Sequence, residues 1–105
     1  MLINETDGTQ RVMGNAALYT KLLRKCVDEN YMQPIEDGYA AGDAEKAELA
    51  IHTLKGISAN LSLEDLNKVC VEVEINTKAG KLEQDDLEKL KKIYNETVDA
   101  INGRK

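Results

Sequence analysis

His52 is the only histidine in this 105-residue chain. Imidazole titrates near pH ~6.5, so its neutral, nucleophilic form is available at neutral pH. On a helical wheel at ~100° per residue, the apolar or small positions Ala47, Ala50, Leu54 and Leu61 centre ~190° away from His52. The histidine therefore belongs on the face turned away from a core. Glu48, Lys55, Gly56 and Ala59 fall within ~60° of it. Gly56, one turn on, interrupts an otherwise strong helix, where glycine costs about 0.5–1 kcal/mol relative to alanine. Such a glycine makes sense where another backbone must come close, and Ala59 keeps the same patch low. The Lys55 ammonium would attract phosphoryl oxygens and oppose protonation of the ring. Singly, a surface histidine or lysine is usually only solvated. Together the four describe an accessible nucleophile beside a cation, on a patch cleared for a partner.

The elements that must position this set are helices. Asn15 is a candidate N-cap for a first helix with an apolar face of Leu18, Tyr19, Leu22, Leu23, Cys26 and Val27. A second spans about Tyr31 to Ala41, with Pro34 in its first turn, where a missing N–H is tolerated. Gly42-Asp43 ends it and caps a third helix, about Ala44 to Leu61. Ser62-Leu-Glu-Asp65 resembles a capping box for a fourth, with Leu63, Leu66, Val69, Cys70 and Val73 inward and Gly80 near its end. Asp85-Asp-Leu-Glu88 offers a second box for a fifth, striped by Leu87, Leu90, Tyr94, Val98 and Ile101. Residues 1–14 lack a sustained period and read as an extended segment, with Leu2, Ile3, Val12 and Met13 available for packing. Short connections between long amphipathic helices imply antiparallel neighbours. The expected fold is all-α: one domain over residues 1–105, in which helices two to five form an up-down four-helix bundle over about 15–103 and an additional N-terminal helix packs at one end.

Composition agrees. Phe and Trp are absent, the aromatics are four Tyr, and a single Pro leaves long helix-permissive stretches. The net charge of −5 argues against a nucleic-acid surface. No apolar run approaches the ~20 residues of a membrane span, and the N-terminus lacks signal-peptide character, so a cytoplasmic place is expected. Cys26 and Cys70 are far apart with no CxxC, which points to reduced core residues rather than a metal centre. Three Asn-x-Ser/Thr sequons, at Asn4, Asn60 and Asn95, read as chance matches.

The stretch His52-Thr53-Leu54-Lys55-Gly56, followed by Ala59-Asn60-Leu61, resembles the signature of histidine-phosphotransfer (HPt) domains. Gly42-Asp43 is also similar to that family. The approach Asp7-Gly8, Gly14-Asn15, Leu18-Tyr19 and Leu22-Leu23 looks like the N-terminal segment of HPt domains at the ends of bacterial hybrid sensor kinases. The resemblance implies that His52 accepts the phosphoryl group, Lys55 is its basic neighbour and Gly56 lets a receiver domain approach. It implies response-regulator receivers and a hybrid sensor histidine kinase as partners. It also implies a phosphocarrier with no ATP site or cofactor of its own, Mg²⁺ being supplied by the receiver. Two positions depart from the pattern: Ile57, where a small residue is frequent, and Ser62, where a Gly is. Glu48 and Ala59, with Glu45, are candidate partner contacts through charge and shape. A monomer is the default for such a domain. Three other readings are open to the sequence: a module that docks receivers without transfer, a metal or cofactor bundle, and a helical domain with no chemistry.

Overall fold

The computed structural model describes residues 1–104. Six helices follow one another: α1 (Glu5–Arg11), α2 (Ala16–Glu29), α3 (Met32–Ala40), α4 (Ala44–Asn60), α5 (Glu64–Lys78) and α6 (Gln84–Asn102). Helix α3 packs on α4, α4 on α5 and α5 on α6, while α6 closes against α3 and α2. Connections of three, three and five residues join α3 to α6 in turn, and packed helices joined so briefly run antiparallel. The expected four-helix bundle is therefore α3–α6, with α2 the additional helix. The body measures 41 × 20 × 20 Å. Its core is Leu23, Ile35, Ile51, Leu54, Leu63, Leu66, Leu90 and their neighbours, with both cysteines buried and free.

Two of the expected caps form. Asn15 Oδ1 accepts from the Leu18 amide and Asp43 Oδ1 from the Lys46 amide, each at 3.0 Å. These satisfy amides that the first turn of a helix leaves without partners.

Four local expectations are corrected. Residues 1–14 are not wholly extended, since Glu5–Arg11 is helical. Asn4 caps this helix at the Asp7 amide, and Arg11 pairs with Asp7 one turn back at 2.9 Å. Gly8 hides the helix in the sequence; it is needed because a Cβ there would lie 2.3 Å from the Tyr19 ring. Ser62 caps nothing: it sits at φ 56°, closing α4, and its hydroxyl donates to Asp7 instead. The second box also fails, because α6 begins at Gln84, leaving Asp85 and Asp86 inside its first turn. Finally, Met13 and Leu18 are exposed rather than packed.

The α3–α4 crossing is set by Gly38. A Cβ there would fall 2.7 Å from the backbone nitrogen of Ala47. Small residues on both helices let the backbones touch, and a methyl group would push them apart. Gly38→Ala should therefore destabilise the fold by about 1–3 kcal/mol despite its better helix propensity. Urea unfolding followed by circular dichroism measures this; an unchanged or raised midpoint would refute the close-crossing account.

Candidate functional site

His52 lies in the middle of α4 with 60% of its side chain exposed. Its Nδ1 is 3.0 Å from Oε2 of Glu74 on α5. The other carboxylate oxygen, Oε1, accepts from Lys55 Nζ at 2.5 Å. Glu74 itself is almost fully buried, with 5% of its side chain exposed. His52 and Lys55, three residues apart on one helix face, thus converge on a single carboxylate of the neighbouring helix.

Burial is the largest single influence and pushes the Glu74 carboxyl up, but hydrogen bonds with Lys55, His52 and Glu48 and the Lys55 charge together outweigh it, and the carboxyl lies below the ordinary carboxylate range. An ionised carboxylate only accepts hydrogen bonds. A neutral His52 facing it must therefore carry its proton on Nδ1 and keep the ring lone pair on Nε2. The pairing selects the tautomer and the ring orientation together.

The other sequence-selected residues fall around this pair. A Cβ at Gly56 would meet nothing within 4 Å, so no contact inside the molecule requires the glycine. Ala59 is exposed beside it, and Glu45 is exposed. Glu48 is half-buried and turned toward the cluster, with a carboxylate oxygen within 4.8 Å of a ring nitrogen of His52 and of a Glu74 carboxylate oxygen. Lys55 is held by Glu74 and only 29% exposed, so it is less free than its position on the wheel implies. Beneath the site, Asn67 Nδ2 and Ser58 Oγ donate to the Lys55 carbonyl, each at 2.9 Å, tying α5 to α4.

Sequence reasoning missed Glu74. A signal was present: Leu66, Cys70 and Val73 define the buried stripe of α5, and Glu74, four residues after Cys70, continues it. A carboxylate at a core position needs a cation or donor opposite. It also missed Leu49, a large apolar side chain 65% exposed one turn before His52.

The sign of the Glu74 shift gives a pH dependence. A carboxyl held low in the folded state stabilises the fold above its ordinary range, and that contribution is lost as pH falls through the folded value. Glu74→Gln should be less stable than the parent by about 1–3 kcal/mol at pH 7, and the gap should shrink on acidification below pH ~4. Denaturant midpoints at several pH values test this, and a gap that does not vary with pH would contradict an ionised Glu74.

Comparison with known proteins identifies the family of the chain. The model of the Hpt domain family matches residues 16–100, from the start of α2 almost to the end of α6. No curated protein and no solved structure matches the chain. With an exposed histidine on a helical bundle and a family match over most of its length, the chain belongs to the Hpt domain family, whose members are phosphocarriers that work by histidine phosphotransfer in phosphorelays with response-regulator receivers.

Proposed function

We propose that this chain relays a phosphoryl group between aspartates of two receiver domains, carrying it on Nε2 of His52. The observation that carries the reading is the bond between His52 Nδ1 and buried Glu74, which leaves the Nε2 lone pair outward. That nitrogen attacks the phosphorus of an aspartyl phosphate in line. The N–P bond forms as the P–O bond to the aspartate breaks, and the aspartate leaves as carboxylate. The ring becomes cationic with its proton still on Nδ1, facing the Glu74 carboxylate, and Glu74 thereby stabilises the charge that develops. Lys55, at the edge of the patch, offers its ammonium to the phosphoryl oxygens. The reverse reaction delivers the group to a second receiver.

The partner supplies Mg²⁺ and the rest of the charge stabilisation. Gly56 and Ala59 give the receiver room to bring its aspartate to the imidazole, and exposed Leu49 adds an apolar contact next to them. Glu48 and Glu45 contribute charge complementarity at the rim. The chain acts as a carrier that takes its phosphoryl group from a receiver rather than from ATP, in the cytoplasm of a bacterium. An upstream hybrid sensor kinase feeds it.

Incubation with phosphorylated receivers should place acid-labile, base-stable label on the parent protein. His52→Gln should carry none while keeping its helicity by circular dichroism. Undiminished label on that variant would overturn the assignment.

Gly56→Ala separates stability from partner access. The added methyl meets open space, so the domain should gain about 0.5–1 kcal/mol from helix propensity. Transfer from a receiver should nonetheless slow, on the order of tenfold for ~1.4 kcal/mol of lost approach. A variant that is stabilised and transfers at the parental rate would remove Gly56 from the docking surface.

A further inference from the structure

The groups around His52 also make a ligand set. Glu48, His52 and Glu74 each offer one donor atom, and the three atoms lie within 4.8 Å of one another. One of the separations, His52 Nδ1 to Glu74 Oε2, is 3.0 Å. A tetrahedral ion with bonds of about 2.0–2.2 Å needs donors roughly 3.4 Å apart. That pair is near the required spacing, and the half-buried Glu48 brings a third donor within 4.8 Å of both. We propose that Glu48, His52 and Glu74 bind a divalent ion of the zinc class, and that the bound ion disables His52 as a nucleophile by moving its proton from Nδ1 to Nε2.

Several features favour an ion here. One imidazole nitrogen with two carboxylates suits zinc and its first-row neighbours better than a hard ion that prefers oxygen throughout. Lys55 takes Oε1 of Glu74 and leaves Oε2 for the metal, so the lysine is an outer-shell partner that steadies the carboxylate. Competing thiols are out of reach: Cys26 and Cys70 are buried, and burial pushes their thiols up to about 11 and about 12. The exposure of His52 keeps a coordination position open to water.

The switch follows from electron count. A neutral imidazole has one ring lone pair. Without the ion it sits on Nε2, because Nδ1–H faces Glu74. An ion at Nδ1 needs that lone pair, so the Nδ1 proton leaves and Nε2 gains one through solvent, with the proton total unchanged. Nε2–H has no lone pair for phosphorus. This consequence rests on the proposed phosphotransfer, whereas the site itself does not.

Calorimetric titration of the full chain with Zn²⁺, with no receiver present, tests the site. One ion per chain is expected, weakened in Glu48→Gln and in His52→Gln by more than the roughly 10–100-fold that loss of an outer-shell partner costs. Thermal unfolding of both variants should stay cooperative, which excludes misfolding as the cause. Nitrogen shifts of the single histidine should place the proton on Nδ1 before Zn²⁺ and on Nε2 after. No binding below ~1 mM, parental affinity in Glu48→Gln, thiolate bands with Co²⁺, or metal on Nε2 would each overturn the proposal. The transfer assay contains no zinc and this titration no receiver, so the two readings fail separately.

Discussion

A carboxylate buried between two helices is the constraint on which the site depends. Removing such a charge from water carries a penalty of several kcal/mol, which only good partners offset. The periodicity of α5 puts Glu74 on the same stripe as Cys70 and Val73, so it cannot turn to solvent without unpacking the helix. The partners must come from α4. Lys55 and His52 satisfy it because a three-residue separation puts both on one face, about one turn apart. Sliding α4 along α5 by one turn would remove both donors at once. The register of the α4–α5 pair and the orientation of the imidazole are thus one fact.

This coupling explains why the neighbouring contacts are polar and small. Ser58 is buried without a large side chain, and Asn67 bonds both the Lys55 carbonyl and the Ser58 hydroxyl. These bonds fix the backbone that carries Lys55, and so the reach of its ammonium. On the proposed mechanism, phosphorylation changes which cation Glu74 faces. The ring becomes positive at the moment Lys55 is drawn toward the phosphoryl oxygens, so the carboxylate exchanges one cationic partner for another and is never left alone. A buried acid that always has a partner does not have to be protonated during the cycle.

Much of this was legible in the sequence, and the exceptions have physical causes. Helical periodicity places α2 to α6 within a few residues, because apolar faces repeat and Asn15 and Asp43 mark starts. The wheel also places His52 on the exposed face, since the core stripe of α4 is well defined by Ala47, Ile51 and Leu54. What failed was local chemistry answered by a distant segment. Ser62 looks like a cap, yet it is the left-handed closing residue of α4 and bonds Asp7, 55 residues away. Its backbone role matches the glycine frequent there in the family it resembles. Helix α1 is invisible to periodicity because seven residues show too few repeats and Gly8 breaks the pattern. Glu74 could have been found only by asking why a charge interrupts an apolar stripe.

Two mid-helix glycines show how the same residue arises from opposite demands. Each gives up about 0.5–1 kcal/mol of helix propensity relative to alanine. Gly38 does so because there is no room: Ala47 of α4 occupies the space a side chain would need. Its conformational penalty is offset within the molecule, by the close packing of α3 on α4. Gly56 has only open space where a side chain would stand, so nothing inside the fold offsets its penalty. A residue that weakens its own helix without an internal reason fits the proposed docking role, in which a partner surface comes within a methyl group's width of the helix. Gly56 lies one turn from the exposed imidazole, so on the proposed reading that surface is the receiver's, brought up to His52. Position and energetics therefore both support the proposed docking patch, and neither argument depends on the other.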